Sequence, residues 1–346
     1  YDSAIADFGQ AFDLDDTNAE ALAQRGDVYV IQGDYEQGVD DATAALEINP
    51  DYDWAYAVRA NAYSQMGEYE KAIRDFDRAI ELTADYEWAL AQRANAYLAL
   101  SQYTEAISDA TDALEINPNS DWAYAIRGAA YRGNEAYEAA IDDFDEAIDI
   151  NADYTYAYYE RGLAYAALGD TDAALADYDQ ALDLDPDYIE VYISRGLARQ
   201  DAGDLEGALA DYDLALDLDP DYANAYNNRG LVYEAMEEYQ YAVVSYSAAI
   251  QREPETALFY RNRAGVYRRL EQTDRALADY NTAIELDPTA ANAYNERGIV
   301  YEALDQTEEA LADYSKAIEL DPAEPIYYSN RGAIYKAQEA YEAAIA

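Results

Sequence analysis

The sequence predicts an all-α chain built as a stack of antiparallel helix pairs, and three observations predict it. Arginine stands at positions 25, 59, 93, 127, 161, 195, 229, 263, 297 and 331, an unbroken spacing of 34 residues. Within each period, small and aromatic residues recur at three- and four-residue spacings in two separate stripes, the period of a helix face. Between the stripes fall turn residues: Gly-Asp pairs on one side and prolines on the other. A repeat of this length means one supersecondary unit per period, each unable to bury its apolar stripe without its neighbours.

The elements follow in order. Residues 1–18 carry only the second stripe and read as a leading half-unit; 19–324 hold nine full units; 325–346 start a tenth that is incomplete. The first helix of a unit, helix A, places Tyr56, Ala60 and Tyr63 on one line, and a small residue follows each periodic arginine, Gly26 or Ala60 for instance. Four residues after the arginine comes tyrosine, with one lapse at Arg199. The second helix, helix B, aligns Ala72, Phe76, Ala79 and Ile80. "GD" at 33–34, 169–170 and 203–204 supplies a helix-ending glycine and then an Asp cap. Pro50, Pro118, Pro186, Pro220, Pro254, Pro288 and Pro322 close most B helices, since proline cannot continue one. Ala84 and Ala152 stand at the two remaining closures.

These residues resemble the tetratricopeptide repeat (TPR), a helix-turn-helix unit of the same length. The resemblance covers the whole chain and implies a single continuous TPR α-solenoid over 1–346, a right-handed superhelix of antiparallel helix pairs. It also implies a concave surface on which extended peptides or partner helices lie. One departure is plain: the family commonly has leucine where this chain has its periodic arginine.

The arginine asks for a partner. Arg59 lies roughly 60° around helix A from Tyr56, on the edge of the buried stripe. A partly buried cation needs a counter-charge. Helix B offers one in Asp41, Asp75, Asp109, Asp143, Asp177, Asp211, Asp279 and Asp313, with Asp7 in the half-unit and only Ser245 breaking the column. The two columns are expected to pair, within a repeat or across to its neighbour.

Trp54 points elsewhere, about 160° from Tyr56. Trp54, Trp88, Trp122 and then Tyr156 share this phase, and the resemblance puts it on the concave side. Two readings stay open: an aromatic stripe that binds a partner, or packing between neighbouring A helices. Asn61 and Asn95 belong to the same face. Further along, Asn224, Asn227, Asn292 and Asn295 have amides suited to an extended peptide backbone, since each donates and accepts. Between them lies "FYRNRAGVYRRL", 259–270, with Arg261, Arg268 and Arg269. Residues 252–275 hold six arginines and four acids in a chain of net charge −50. These arginines are candidates to hold a carboxylate or acidic segment by forked contacts; the alternative is that they merely offset surrounding acids.

Composition limits the rest. With 72 acidic and 22 basic residues the chain is poorly suited to nucleic acid or an anionic membrane surface. It has no cysteine and no histidine, which removes disulfides, thiolates and imidazole chemistry. No apolar run is long enough to span a bilayer. "DLDPD" at 183–187 and 217–221 alternates carboxylates, yet the Gly and Glu that an EF-hand loop needs are absent. There is no phosphate loop, zinc spacing or nucleophile elbow, so neither a catalytic site, a metal nor a cofactor is expected. The leading reading is a non-catalytic scaffold that binds protein or peptide. A second is self-assembly into a homo-oligomer or filament: Tyr1 begins in helix-B phase and "AYEAAIA" ends in it, as in an excerpt of a longer array or a unit docking end to end. A third is an accessory module of a larger enzyme or secretion complex. Whether the setting is cytoplasmic, extracellular or at the cell surface is not encoded.

Overall fold

The computed structural model describes residues 1–338, so "AYEAAIA" lies outside the described residues. The chain forms two compact units, Tyr1–Pro186 and Asp187–Ala346. In the first, α1 (Asp2–Leu14) precedes five hairpins. These are α2 (Ala19–Gln32) with α3 (Tyr35–Ile48), α4 (Asp53–Gln65) with α5 (Tyr69–Leu82), and α6 (Glu87–Ala99) with α7 (Tyr103–Ile116). Then come α8 (Asp121–Gly133) with α9 (Tyr137–Ile150), and α10 (Thr155–Leu168) with α11 (Thr171–Leu184). The second unit pairs α12 (Ile189–Asp201) with α13 (Leu205–Leu218) and α14 (Ala223–Ala235) with α15 (Tyr239–Arg252). It continues with α16 (Ala257–Arg269) and α17 (Thr273–Leu286), then α18 (Ala291–Ala303) and α19 (Thr307–Leu320), and ends on α20 (Pro325–Ala337). No strand occurs among the described residues. The first hairpin begins at Ala19.

Each turn has a local cause. After helix A the chain enters the left-handed region, with φ of 90° at Gly33, 76° at Gly67, 81° at Gly169 and 83° at Gly203. Asp170 and Asp204 then cap helix B by accepting from the amides of Ala173 and Gly207, whereas Asp34 makes no such bond. Five repeats have no glycine there, and Ser101, Glu135, Glu237, Glu271 and Asp305 hold φ of 58–61°. After helix B the residue before the proline is extended in every repeat but that of Glu253, as proline favours in its predecessor. Thr83 and Asn151, followed by alanine, adopt the same φ of −136°. Packing and Asx turns hold this connector without the ring: Asn151 Oδ1 accepts from the Asp153 amide at 3.2 Å. In "DLDPD" Asp219 does the same for Asp221 at 2.9 Å, so that carboxylate serves a turn.

The core is a column of alanines with a buried ring in most hairpins; Ala42 and Ala110 take the ring's place in α3 and α7. Ala60, Ala72, Phe76 and Ala89 form one fully buried cluster joining α4, α5 and α6. Tyr178, Tyr212, Tyr246, Tyr280 and Tyr314 fill the Phe76 position later in the chain and are buried. Facing four of them are Gly162, Gly196, Gly230 and Gly298, where a Cβ would come within 2.6–2.8 Å of the ring. The phenol adds a polar tip that Phe76 and Phe144 do not have. It reaches helix A, donating from Tyr246 to Glu234 at 3.1 Å and from Tyr314 to Glu302 at 2.9 Å.

The periodic arginine is scaffold. Arg59 donates from Nε and Nη2 to the two oxygens of Asp75 at 2.6 and 2.8 Å, and from Nη1 to Thr43 Oγ1 at 3.2 Å. It thus closes its own hairpin and ties it to the preceding B helix. The forked pair recurs at Arg25–Asp41, Arg93–Asp109, Arg127–Asp143, Arg161–Asp177, Arg263–Asp279 and Arg297–Asp313. The backward bond ends on Asp77, Thr111, Asp145, Asp213, Ser247, Asn281 or Ser315. The expected pairing with the aspartate column therefore occurs within the repeat, whereas the bond across to the neighbour falls on a different column, two residues further along helix B. The two departures from the pattern differ in consequence. Where tyrosine lapses, Arg199 joins Arg195 on the fully buried Asp211, donating to it at 2.8 Å. Where Ser245 replaces aspartate, Arg229 keeps only a neutral bond of 3.2 Å in its own hairpin.

Candidate protein-binding surface

The aromatic phase of helix A falls between repeats of the first unit. Trp54 packs against the cluster of Leu22 and Leu46 and against that of Val30 and Val58. Its ring centroid lies 6.0 Å from that of Trp88, which stands edge-on to Phe76 at 6.1 Å. Trp122 covers Leu90 and Ile126, and Tyr156 packs on Tyr154 over the Phe144 cluster. All four are half-buried. They are inter-repeat core first, with one edge left open. The Trp54 indole nitrogen is buried with no acceptor. Of the two amides on this face, Asn61 is half-buried and Asn95 exposed.

The asparagines of the second unit divide. Asn227 and Asn295 are buried and committed to helix–helix contact, accepting from the Asn262 and Asn330 amides at 2.9 and 2.8 Å. Asn224 and Asn292 are exposed. Asn292 joins Arg261, Arg268 and Arg269 around one recess of about 290 Å³, between α14, α16 and α18. Spacing explains the convergence: Arg261, Arg268 and Gly265 lie at four- and three-residue steps on α16, one face of that helix.

Two glutamates that sequence reasoning passed over also line the recess. Glu296 accepts from Arg268 Nη2 at 3.0 Å, and Glu234 lies 3.2 Å from Arg269 Nη1. A signal for the first was present, because Arg132 and Glu160 repeat the 28-residue spacing of Arg268 and Glu296 and also pair, at 2.6 Å. Burial works against the charge of Arg268, but Glu296 and Tyr280 outweigh it and hold its pKa above the ordinary value. Among the described residues Arg261 has no ion pair; the carboxylate whose charge it touches is that of the connector Asp287. The recess can therefore offer guanidinium N–H groups and the Asn292 amide to an anion, while the Asn262 amide also lines it and donates to Asn227. No cluster of metal-ligating side chains occurs among the described residues, and no helix there is long and apolar enough to cross a membrane.

Comparison with known proteins places this architecture. No curated protein matches the chain. Among solved structures, a tetratricopeptide repeat protein from Parabacteroides merdae ATCC 43184 is 21% identical, over 72% of this chain and 98% of its own, with a TM-score of 0.55. The structure of Cut9–Hcn1, described as an APC/C hetero-tetramer, matches at 14% identity over 94% and 92%, with a TM-score of 0.52. YrrB, described as a TPR protein with an unusual peptide-binding site, is 26% identical over 53% and 95%, with a TM-score of 0.43. Family models described as tetratricopeptide repeat match residues 54–86, 155–188, 223–255 and 291–323, and again 19–52 and 89–120. A model described as TPR repeat matches 128–169, 196–237 and 265–305. With helix pairs of this length recurring through both units, the chain belongs to the tetratricopeptide repeat family.

Proposed function

We propose that the chain is a non-catalytic interaction scaffold whose A helices hold an extended protein segment, acidic where it meets Arg261, Arg268 and Arg269. One observation supports this most: three arginines and an exposed asparagine converge on a single recess in a chain of net charge −50. Glu234 and Glu296 line the same recess and pair with Arg269 and Arg268, so the three arginines leave one positive charge in excess there. Guanidinium groups recognise carboxylates through paired N–H donors, and the surrounding negative field rejects acidic segments elsewhere on the surface.

The test is binding of short acidic and neutral peptides to the full chain and to Arg261→Ala and Arg268→Ala, with helicity checked by circular dichroism. Acid-selective binding that falls at least tenfold in either variant supports the reading; binding indifferent to both arginines removes it. Electron microscopy of the same material separates this scaffold, seen as discrete particles, from end-to-end self-assembly, seen as filaments.

A further inference from the structure

The arginines of the recess are coordinated unlike those of the scaffold. Arg127 and Arg297 each spend Nε and Nη2 on two oxygens of one carboxylate and Nη1 on a third group. Arg268 has one carboxylate bond, from Nη2 to Glu296, lies against the Tyr280 phenol, and has its Nε buried with no hydrogen-bond acceptor. Arg269 has one carboxylate contact at 3.2 Å and a side chain 45% exposed. The equivalent pair in the first unit is an internal control. Arg132 binds Glu160 through Nε at 2.6 Å, and Glu160 is 7% exposed at its side chain, against 31% for Glu296. The same two helix positions thus make a seated pair in one place and a loose, open one in the other.

We propose that Glu296 is a resident competitor for the acidic ligand: it occupies Arg268 through one oxygen until a ligand carboxylate takes Nε and Nη2 together and displaces it. This rests on the function proposed above and adds how that site is regulated. An incoming carboxylate gains the forked geometry that Glu296 does not achieve. It also satisfies a buried donor whose lack of a partner disfavours the empty state. Arg261, without an ion pair, is where a second carboxylate of the same segment first docks. Exchange sets a threshold. A single weak acid does not dislodge Glu296, whereas adjacent acids on one peptide do, since the second binds at the effective concentration set by the first.

The experiment uses the full chain and a fluorescein-labelled hexaglutamate peptide blocked at both ends, with hexaglutamine as the neutral control, read by fluorescence anisotropy. Glu296→Gln keeps an amide oxygen for Arg268 and Tyr280 and so preserves the packing. Glu160→Gln makes the same charge change at the seated pair. Exchange requires that Glu296→Gln tighten hexaglutamate binding at least threefold while Glu160→Gln leaves it unchanged. Equal tightening in both variants would trace the effect to net charge and overturn the proposal. Weaker or unchanged binding in Glu296→Gln, with Arg268→Ala still abolishing it, would make Glu296 a support for the arginine, leaving the scaffold function intact. Failure of the unaltered chain to bind hexaglutamate removes both.

Discussion

Asp143→Ala tests whether the arginine ladder carries the fold. Asp143 is 5% exposed and accepts two bonds from Arg127, at 2.7 and 2.8 Å. Those bonds hold the Arg127 guanidinium above its ordinary pKa, while burial pushes the Asp143 carboxyl up despite them. The pair is therefore a desolvated one: neither partner would choose this place alone. Removing the carboxylate leaves a cation 19% exposed whose remaining partner is Thr111 at 3.3 Å. Two charge-assisted bonds are worth about 1.5–3 kcal/mol each, of which the arginine recovers part by turning toward water. Breaking one side of a buried pair costs about 3–5 kcal/mol; here the lower end, about 3 kcal/mol, is expected. The double variant Arg127→Leu/Asp143→Ala removes the orphaned charge and should regain at least half of that. Urea denaturation followed by circular dichroism gives the midpoint shift. Hydrogen exchange over α8 and α9 shows whether the loss is local, as a nearest-neighbour array requires. A loss under about 1 kcal/mol, or a double variant no better than the single one, would refute the ladder as a source of stability.

Three further outcomes follow from the same contacts. Ser245→Asp restores the missing carboxylate beside Arg229 and should stabilise by about 1 kcal/mol, read as a higher urea midpoint. Glu237, at φ of 61°, carries a Cβ where glycine is preferred. Glu237→Gly should gain about 0.5 kcal/mol after the added freedom of the unfolded chain is subtracted; a lower midpoint would contradict it. Burial raises the phenols of Tyr86, Tyr178, Tyr212, Tyr246, Tyr280 and Tyr314 and pushes Tyr154 up to about 12. Their neutral form is favoured by folding, so this stability is intact below the ordinary tyrosine value near 10 and is lost as pH rises toward 12. Absorbance of tyrosinate at alkaline pH should lag for these residues until helicity falls; complete ionisation with helicity unchanged would contradict it.

The fold was legible because every unit repeats the same constraint. Any one copy of Arg–small–x–x–Tyr is a weak signal, but ten arginines in register leave no freedom in where helices begin. The Arg59–Asp75 pairing was readable for the same reason, since both residues sit on the stripe edge and recur together. Burial of the individual amides was not. Asn224 and Asn227 lie three residues apart on one helix, yet one is exposed and the other accepts from Asn262 on the next A helix. That depends on how far apart successive A helices sit, which no single-helix periodicity encodes. Glu234 and Glu296 were missed because acids occur throughout the chain, and a carboxylate among 72 draws no notice until the cation it faces is known.

The same residue type therefore serves two purposes here, and coordination distinguishes them. In the ladder, forked contacts and a third partner engage all three guanidinium nitrogens, so an incoming carboxylate has nothing to gain by replacing Asp75 or Asp143. In the recess the contacts are single, and N–H capacity is left over. Charge acts differently on the two. A ladder pair is shielded by its own hairpin, whereas a ligand approaching the recess first meets the repulsion of a chain at −50. That field is screened beyond about 8 Å at physiological ionic strength. Short-range forked bonds in a partly closed cavity are screened far less. Under the proposed function, salt should therefore remove the obstacle more than the attraction, and hexaglutamate binding is expected to strengthen as ionic strength rises toward the physiological range.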